Sequence, residues 1–241
     1  MDVLLLKLRG PMISFGAPMI DEYGFTHPHP TQSMITGLTA NALGIDRSET
    51  AYLTRLQNSI IYACREDKTG RKMTDFQTVD LGQPHLLAKG KTNTSAWRAK
   101  TRGVHFRGGG SSDGTHIRYR DYWADALYTV ALISEDDVLN TVRIAHAFKA
   151  PERPLFIGRK CCVPSRPIFH KLATTNEEGI ESLISVLQNE PADEQTCAFW
   201  WPATDNRPGV HQIELSDQRD FKKDCHTGSR ILAHEHLNIH V

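Results

Sequence analysis

The sequence predicts an α+β protein, and three observations carry that prediction. An apolar run, Val3 to Leu8, stops at Gly10-Pro11 and leads through a shaped loop into a helical pattern. A second apolar run, Ala126 to Ile133, is followed by another helical pattern. Between them, Gln83 to Tyr122 sustains neither periodicity. With the elements between, the order is strand, helix, strand, strand, insertion, strand, helix. It approximates the split βαβ plan of ferredoxin-like or RRM-like domains. The predicted division is a ferredoxin-like domain over residues 1–150, including an insertion at 83–122, and a smaller, β-rich C-terminal region over 151–241.

The opening stretch, VLLLKLRGPMISFG, organises the rest. Val3, Leu4, Leu5, Leu6 and Leu8 are continuous rather than alternating, which suits a central strand covered on most of its length. Gly10-Pro11 ends it, because proline cannot donate to a ladder. Thr31 or Ser33 can then cap a helix, Met34 to Leu43, that closes on Gly44. Arg47 to Gln57 reads as a second helix capped by Ser48, and Ser59 to Arg65 as a strand. Met73 to Leu81 reads as its neighbour across a turn at Lys68, Thr69 and Gly70. Glu135 to Phe148 reads as a helix with acids at its start. Asn176 to Asn189 has Ile180, Leu183, Ile184 and Leu187 on one face. Thr196 to Trp201 and Val210 to Leu215 read as a small sheet pair.

The 28 basic and 28 acidic residues balance, but they are unevenly placed. From Lys89 to Arg120 lie Lys89, Lys91, Arg98, Lys100, Arg102, Arg107, Arg118 and Arg120 against the single acid Asp113. Trp97, His105, Phe106, His116 and Tyr119 are interleaved. Cations alternating with planar rings suit a single-stranded nucleic acid, in which charges follow phosphates and rings stack on bases. Leu172 to Asn206 holds no Lys or Arg and seven acids, a surface for a protein partner or one that repels nucleic acid. In the proline-rich stretch Pro151 to Pro167, Gly158-Arg159-Lys160 presents a turn and two cations, a combination that can hold a phosphate.

Several chemistries lack support. There is no phosphate-binding GxxxxGK[ST] and no GxGxxG. The five cysteines contain no CxxC, which argues for reduced thiols rather than a disulfide framework. His234, His236 and His240 would share one face if 234–240 were a strand, yet no zinc-type pairing accompanies them. No cofactor or metal is expected. The absence of an apolar run of about 18 residues or a signal-type N-terminus predicts a cytoplasmic protein without a membrane partner. Acid/base cleavage of RNA needs a His or Tyr near a 2′-OH plus a cation, and His105, His116, Tyr119 and Tyr122 supply the residue types.

Three segments resemble the CRISPR-associated CasD family, the fifth Cas protein family, in the same order. They are GPMISFG through ANALGI, IRYRDYWADALYTVALI (Ile117 to Ile133) and RPLFIGRKCCVPSRPIF (Arg153 to Phe169). The resemblance implies an RNA-binding, ferredoxin-like domain whose insertion is a thumb. It also implies a place in a type I-E Cascade complex, holding the 5′ handle of the guide RNA (crRNA), capping the CasC backbone filament and touching the large subunit CasA. Target DNA would be met through the complex. Carried over, the handle would lie on Gly10, Met12, Ser14, Phe15 and Gly16, on Thr31, Ser33 and Thr36, and on Gly158, Arg159, Lys160 and Cys161. Trp97, Arg98, Lys100, Arg102, Arg107, Arg118, Arg120 and Tyr122 of the thumb region would also contact RNA. Type I-E relatives are scaffolds rather than enzymes. A type I-C branch cuts the repeat with a Tyr and an adjacent Lys-His pair, which the basic segment here lacks, since His105 follows Val104 and His116 follows Thr115. A metal-independent repeat endoribonuclease and a generic single-stranded RNA-binding protein are the alternatives.

Overall fold

The computed structural model describes residues 1–80, 115–203 and 210–240. The N-terminal elements are β1 (Asp2–Arg9), β2 (Met12–Ile13), β3 (Gly16–Ile20), β4 (Tyr23–Thr26), α1 (Gln32–Leu43) and α2 (Thr50–Ser59). Then come β5 (Ile60–Lys68), β6 (Arg71–Asp80), β7 (Thr115–Ala124), β8 (Leu127–Ser134), α3 (Thr141–Lys149), β9 (Phe169–Thr174) and α4 (Gly179–Gln188). The chain ends with β10 (Thr196–Pro202), β11 (His211–Leu215), β12 (Gln218–Asp220), β13 (Cys225–Thr227) and β14 (Arg230–Asn238). These form two compact units, one of Met1–Pro18, Phe25–Met73 and Tyr122–Val241, the other of Met19–Gly24 and Thr74–Asp121.

In the first unit, the described residues give a seven-stranded sheet in the order β11-β14-β10-β5-β8-β1-β9, antiparallel throughout. Strand β1 lies between β8 and the edge strand β9, one place in from the edge rather than at the centre, and its continuous apolar run has a direct cause. Leu4, Leu6 and Leu8 pack with Ile35 and Leu38 of α1, Leu56 of α2, and Ile144 and Phe148 of α3. Val3 and Leu5, on the opposite face, pack with Leu183 and Leu187 of α4 and with Phe199 and Trp201 of β10. All five β1 side chains are fully buried. Each such burial is worth about 1.5–3 kcal/mol, so both faces of β1 help hold the fold.

The C-terminal strands extend this sheet, since β10 pairs with β5, so strands from 1–150 and from 151–241 share it. Thr196 to Trp201 and Val210 to Leu215 do not pair with each other as the sequence suggests. β10 and β11 instead flank β14, which the unpatterned His-rich tail supplies. Three helices, α2, α3 and α4, start later than their patterns suggest. Asp136 Oδ1 accepts from the N–H groups of Val138 and Leu139, both at 2.8 Å, and Asn140 then caps α3 by accepting from Arg143 N–H at 2.9 Å. Glu177 N–H donates to Thr175 Oγ1 at 3.2 Å, and α4 begins at Gly179, whose φ is +59°. Short polar side chains claim the first amides and move each boundary inward. Ser48 does not cap α2; its N–H and hydroxyl both donate to Asp46 Oδ1.

In the second unit, β6 pairs with β7, and Tyr23 and Gly24 run parallel to Tyr119 and Arg120. The Tyr23 and Tyr119 rings stack at 4.7 Å, and Phe76 leans on Tyr119 at 5.5 Å. Among the described residues, no helix is long and apolar enough to cross a membrane.

Candidate nucleic-acid interface

Within the first unit, α1 and the loop after α3 enclose a groove of about 460 Å³. Ser33, Gly37 and Asn41 line one wall at four-residue spacing, which sets them on one helix face. Arg153, Phe156, Gly158 and Lys160 line the other. Arg153 also closes the end of α1, donating to the carbonyls of Ile45 at 3.0 Å and Gly44 at 3.1 Å. Gly44 stands in the left-handed conformation, φ +73°, that ends the helix.

The loop holding Lys160 is tied to the loop after β1. Ser14 N–H donates to Ile157 carbonyl oxygen at 3.1 Å, and Ile157 N–H donates to Cys162 carbonyl oxygen at 2.9 Å. Gly158 has φ +95°, and a β-carbon there would stand 1.8 Å from the Ser14 carbonyl oxygen. Only glycine fits, so these two loops form one surface. The Gly158 N–H is committed to Phe156 carbonyl oxygen at 2.9 Å and does not point outward to a ligand. At the other end of the N-terminal loop, a β-carbon on Gly10 would stand 2.8 Å from Val163 carbonyl oxygen.

The residues named from the sequence divide by exposure. Gly16, Gly158, Lys160 and Cys161 are exposed, and Met12, Ser33 and Arg159 are partly so. Gly10, Ser14, Phe15, Thr31, Thr36 and Tyr122 are buried, so their side chains shape the surface from beneath. Phe15 packs edge-on to Tyr128 at 5.0 Å. The Arg159 guanidinium lies 4.8 Å over the Tyr122 ring, and the Tyr122 hydroxyl sits 3.4 Å from Cys161 Sγ. Burial first, and then the Cys161 contact, raise the Tyr122 pKa against the pull of Arg159. A hydroxyl so placed is poorly suited to taking a proton. In the second unit, Arg118 donates to Ile117 carbonyl oxygen at 2.9 Å, and Arg120 to those of Tyr119 at 3.0 Å and Glu22 at 3.2 Å. Trp97, Arg98, Lys100, Arg102, His105 and Arg107 lie outside the described residues. For His116 only its place in β7 is described.

Sequence reasoning missed what holds the start of α1. Thr31 occupies the cap position but makes no side-chain cap bond. Asp217 does that work instead: its Oδ2 accepts from Gln32 N–H at 2.7 Å, and its carbonyl oxygen accepts from Ser33 N–H at 3.0 Å. Arg230 donates to both Asp217 carboxylate oxygens, at 2.8 and 2.7 Å, and to the Tyr62 hydroxyl at 2.6 Å. Tyr62 in turn donates to Pro30 carbonyl oxygen at 2.8 Å. Burial works to raise the Asp217 pKa, but Arg230 and the Gln32 amide outweigh it and hold the carboxyl below its usual range. Ser33, Gly37 and Asn41 did leave a readable signal, a repeat of small or polar residues every fourth position.

Among the described residues, no three His, Cys, Asp or Glu side chains converge as metal ligands would. His234 and His236 lie in β14, which ends at Asn238, so His240 is outside the strand. The His234 ring stacks on Trp200 at 4.8 Å.

Residues 3–230 match the family described as CRISPR-associated protein (Cas_Cas5), and the chain belongs to that family. A curated relative, the CRISPR system Cascade subunit CasD of Escherichia coli (strain K12), is 28% identical over 167 residues, which is 69% of either chain. Two solved structures share the fold. One, titled CRISPR RNA-guided surveillance complex, has a TM-score of 0.69 at 22% identity, covering 98% of this chain and 90% of its own. The other, titled Crystal structure of Cas protein, has a TM-score of 0.63 at 23% identity, covering 98% and 95%.

Proposed function

We propose that this chain is a non-catalytic subunit of a type I CRISPR Cascade complex that binds the 5′ handle of the guide RNA. It would cap the CasC-type backbone filament beside the CasA-type large subunit and meet target DNA only through the complex. The observation that carries this reading is the groove between α1 and the Gly158-Arg159-Lys160 loop, which joins polar and cationic side chains from segments far apart in the sequence. The strand order β5-β8-β1-β9, with α1 and α3 on one face, supports a ferredoxin-like core. Bases would be read by pairing elsewhere in the complex, while this subunit positions phosphates.

The nuclease alternative is weakened by the burial of Tyr122 and by the engagement of its hydroxyl with Cys161. A generic single-strand binder would show no preference for the handle. The test is binding of the purified protein to labelled repeat RNA and to a mature guide, recording cleavage and affinity across salt. Handle-selective, uncut binding with a log K against log salt slope of about −3 is expected if roughly four cations meet phosphates. Arg159→Ala with Lys160→Ala should lower both affinity and slope. Unchanged handle affinity in that variant refutes the site, and metal-independent cutting at one repeat position refutes the scaffold reading.

A further inference from the structure

A second groove, of about 350 Å³, opens in the first unit where β1 meets β9. Lys7, Arg9, Arg166 and His170 line it around Leu127 and Phe169. Lys7 and Arg9 are two residues apart on β1, so they share a face at a separation of roughly 7 Å. That is close to the step between successive phosphates of an extended single strand. Arg166 is set beside Arg9 by the backbone, because Ser165 donates to Arg9 carbonyl oxygen from its N–H at 2.9 Å and its hydroxyl at 3.2 Å. The Lys7 N–H donates to Ile168 carbonyl oxygen at 2.9 Å, which fixes the other end of the same segment.

The acids nearby are already engaged. Glu190, with 4% of its side chain exposed, meets Lys7 at 3.6 Å, His170 at 2.5 Å and Lys171 at 2.5 Å. Asp125, which also acts on Arg9, is paired with Lys68 at 2.5 Å. Arg9 and Arg166 are exposed, and neither forms a salt bridge among the described residues. Two planar guanidinium groups are thus left beside an apolar floor, and Lys149 stands 4.9 Å over the Phe169 ring. Guanidinium forks match phosphate oxygens, and an adjoining ring and leucine suit sugars and bases.

We propose that this groove binds the phosphodiester backbone of a nucleic-acid strand, at a site separate from the groove beside α1. It would do so whether or not the α1 groove holds the handle. A phosphodiester presents a charge at every step, so two cations spaced along a strand need no particular base sequence.

The test uses the full chain and fluorescence anisotropy across salt, with a short single-stranded RNA lacking any repeat sequence, the same sequence as DNA, and a polyglutamate peptide. Arg9→Ala with Arg166→Ala should weaken oligonucleotide binding and reduce the salt slope by about 1.4, or about 0.7 for each single-strand phosphate no longer neutralised. The same decrement should appear in the Arg159→Ala, Lys160→Ala background, which separates failure of this site from failure of the other. Arg9→Lys with Arg166→Lys should keep most of the slope. Arg166→Ala alone, in an exposed loop, should show half the decrement with an unchanged melting temperature. The larger loss, on RNA or on DNA, identifies the strand. An unchanged slope in the double alanine variant overturns the proposal. So does a variant that loses polyglutamate binding while keeping oligonucleotide binding, since the groove would then be a docking site for an acidic protein.

Discussion

Gly158→Ala is the sharpest probe of how the candidate interface is built. At φ +95° a side chain is strained, at a cost of about 1–3 kcal/mol. The new methyl would stand 1.8 Å from the Ser14 carbonyl oxygen and 2.9 Å from its carbon. Backbone cannot rotate away as a flexible side chain would, so the loops must part. Such overpacking costs about 1–3 kcal/mol more and weakens the bond from Ser14 N–H to Ile157. A loss of about 4 kcal/mol lowers Tm by roughly 8–16 °C for a chain of this length. Thermal unfolding followed by circular dichroism measures it. Gly16→Ala is the control, since nothing lies within 4 Å of a β-carbon there, and its effect should stay within about 0.5 kcal/mol. A Gly158→Ala protein melting within roughly 2 °C of wild type would refute the claim that close approach of the two loops shapes the surface.

Asp217→Asn should cost about 3–5 kcal/mol, because it leaves Arg230 buried without a counter-charge; denaturant unfolding at neutral pH measures this. Since the native Asp217 carboxyl is held below its ordinary 3.8, its contribution is present above that value and is lost as pH falls through the native pKa. The variant should lose that part of the acid slope, and an unchanged slope would refute it. His29 works in the other pH range: burial lowers its pKa from 6.5 to about 4, against a bond to Pro30 carbonyl oxygen. The unfolded chain therefore binds the extra proton first, and stability that is complete above about 6.5 falls as pH drops toward 4, by about 3 kcal/mol in all. His29→Phe should flatten stability against pH over that window, and a retained slope would locate the titration elsewhere.

The first strand was legible because a run buried on both faces leaves no polar residue between Val3 and Leu6. α1 was legible nearly to the residue, since Gly44 marks its end by its own backbone requirement. The starts of α3 and α4 were misjudged because Asp136, Asn140 and Thr175 compete for the first amides, and an acidic first turn does not reveal that competition. β14 was illegible because His234, Glu235 and His236 break any alternation. Its place is set by pairing with β10 and β11 on either side.

For the proposed interface, the sequence alone named the candidate segments: the loop ending at Gly16, the helix from Ser33, and the loop of Arg159 and Lys160. Unusual local chemistry marks each of them within a few residues. Tertiary structure alone decided which side chains in those segments face outward. Phe15, Thr36 and Tyr122 turn inward although their types suit a ligand, because the sheet beneath buries them. It also decided that α1 is capped by Asp217, 185 residues along the chain from Gln32. A contact across that distance depends on the whole antiparallel sheet closing, which no local pattern of residues encodes.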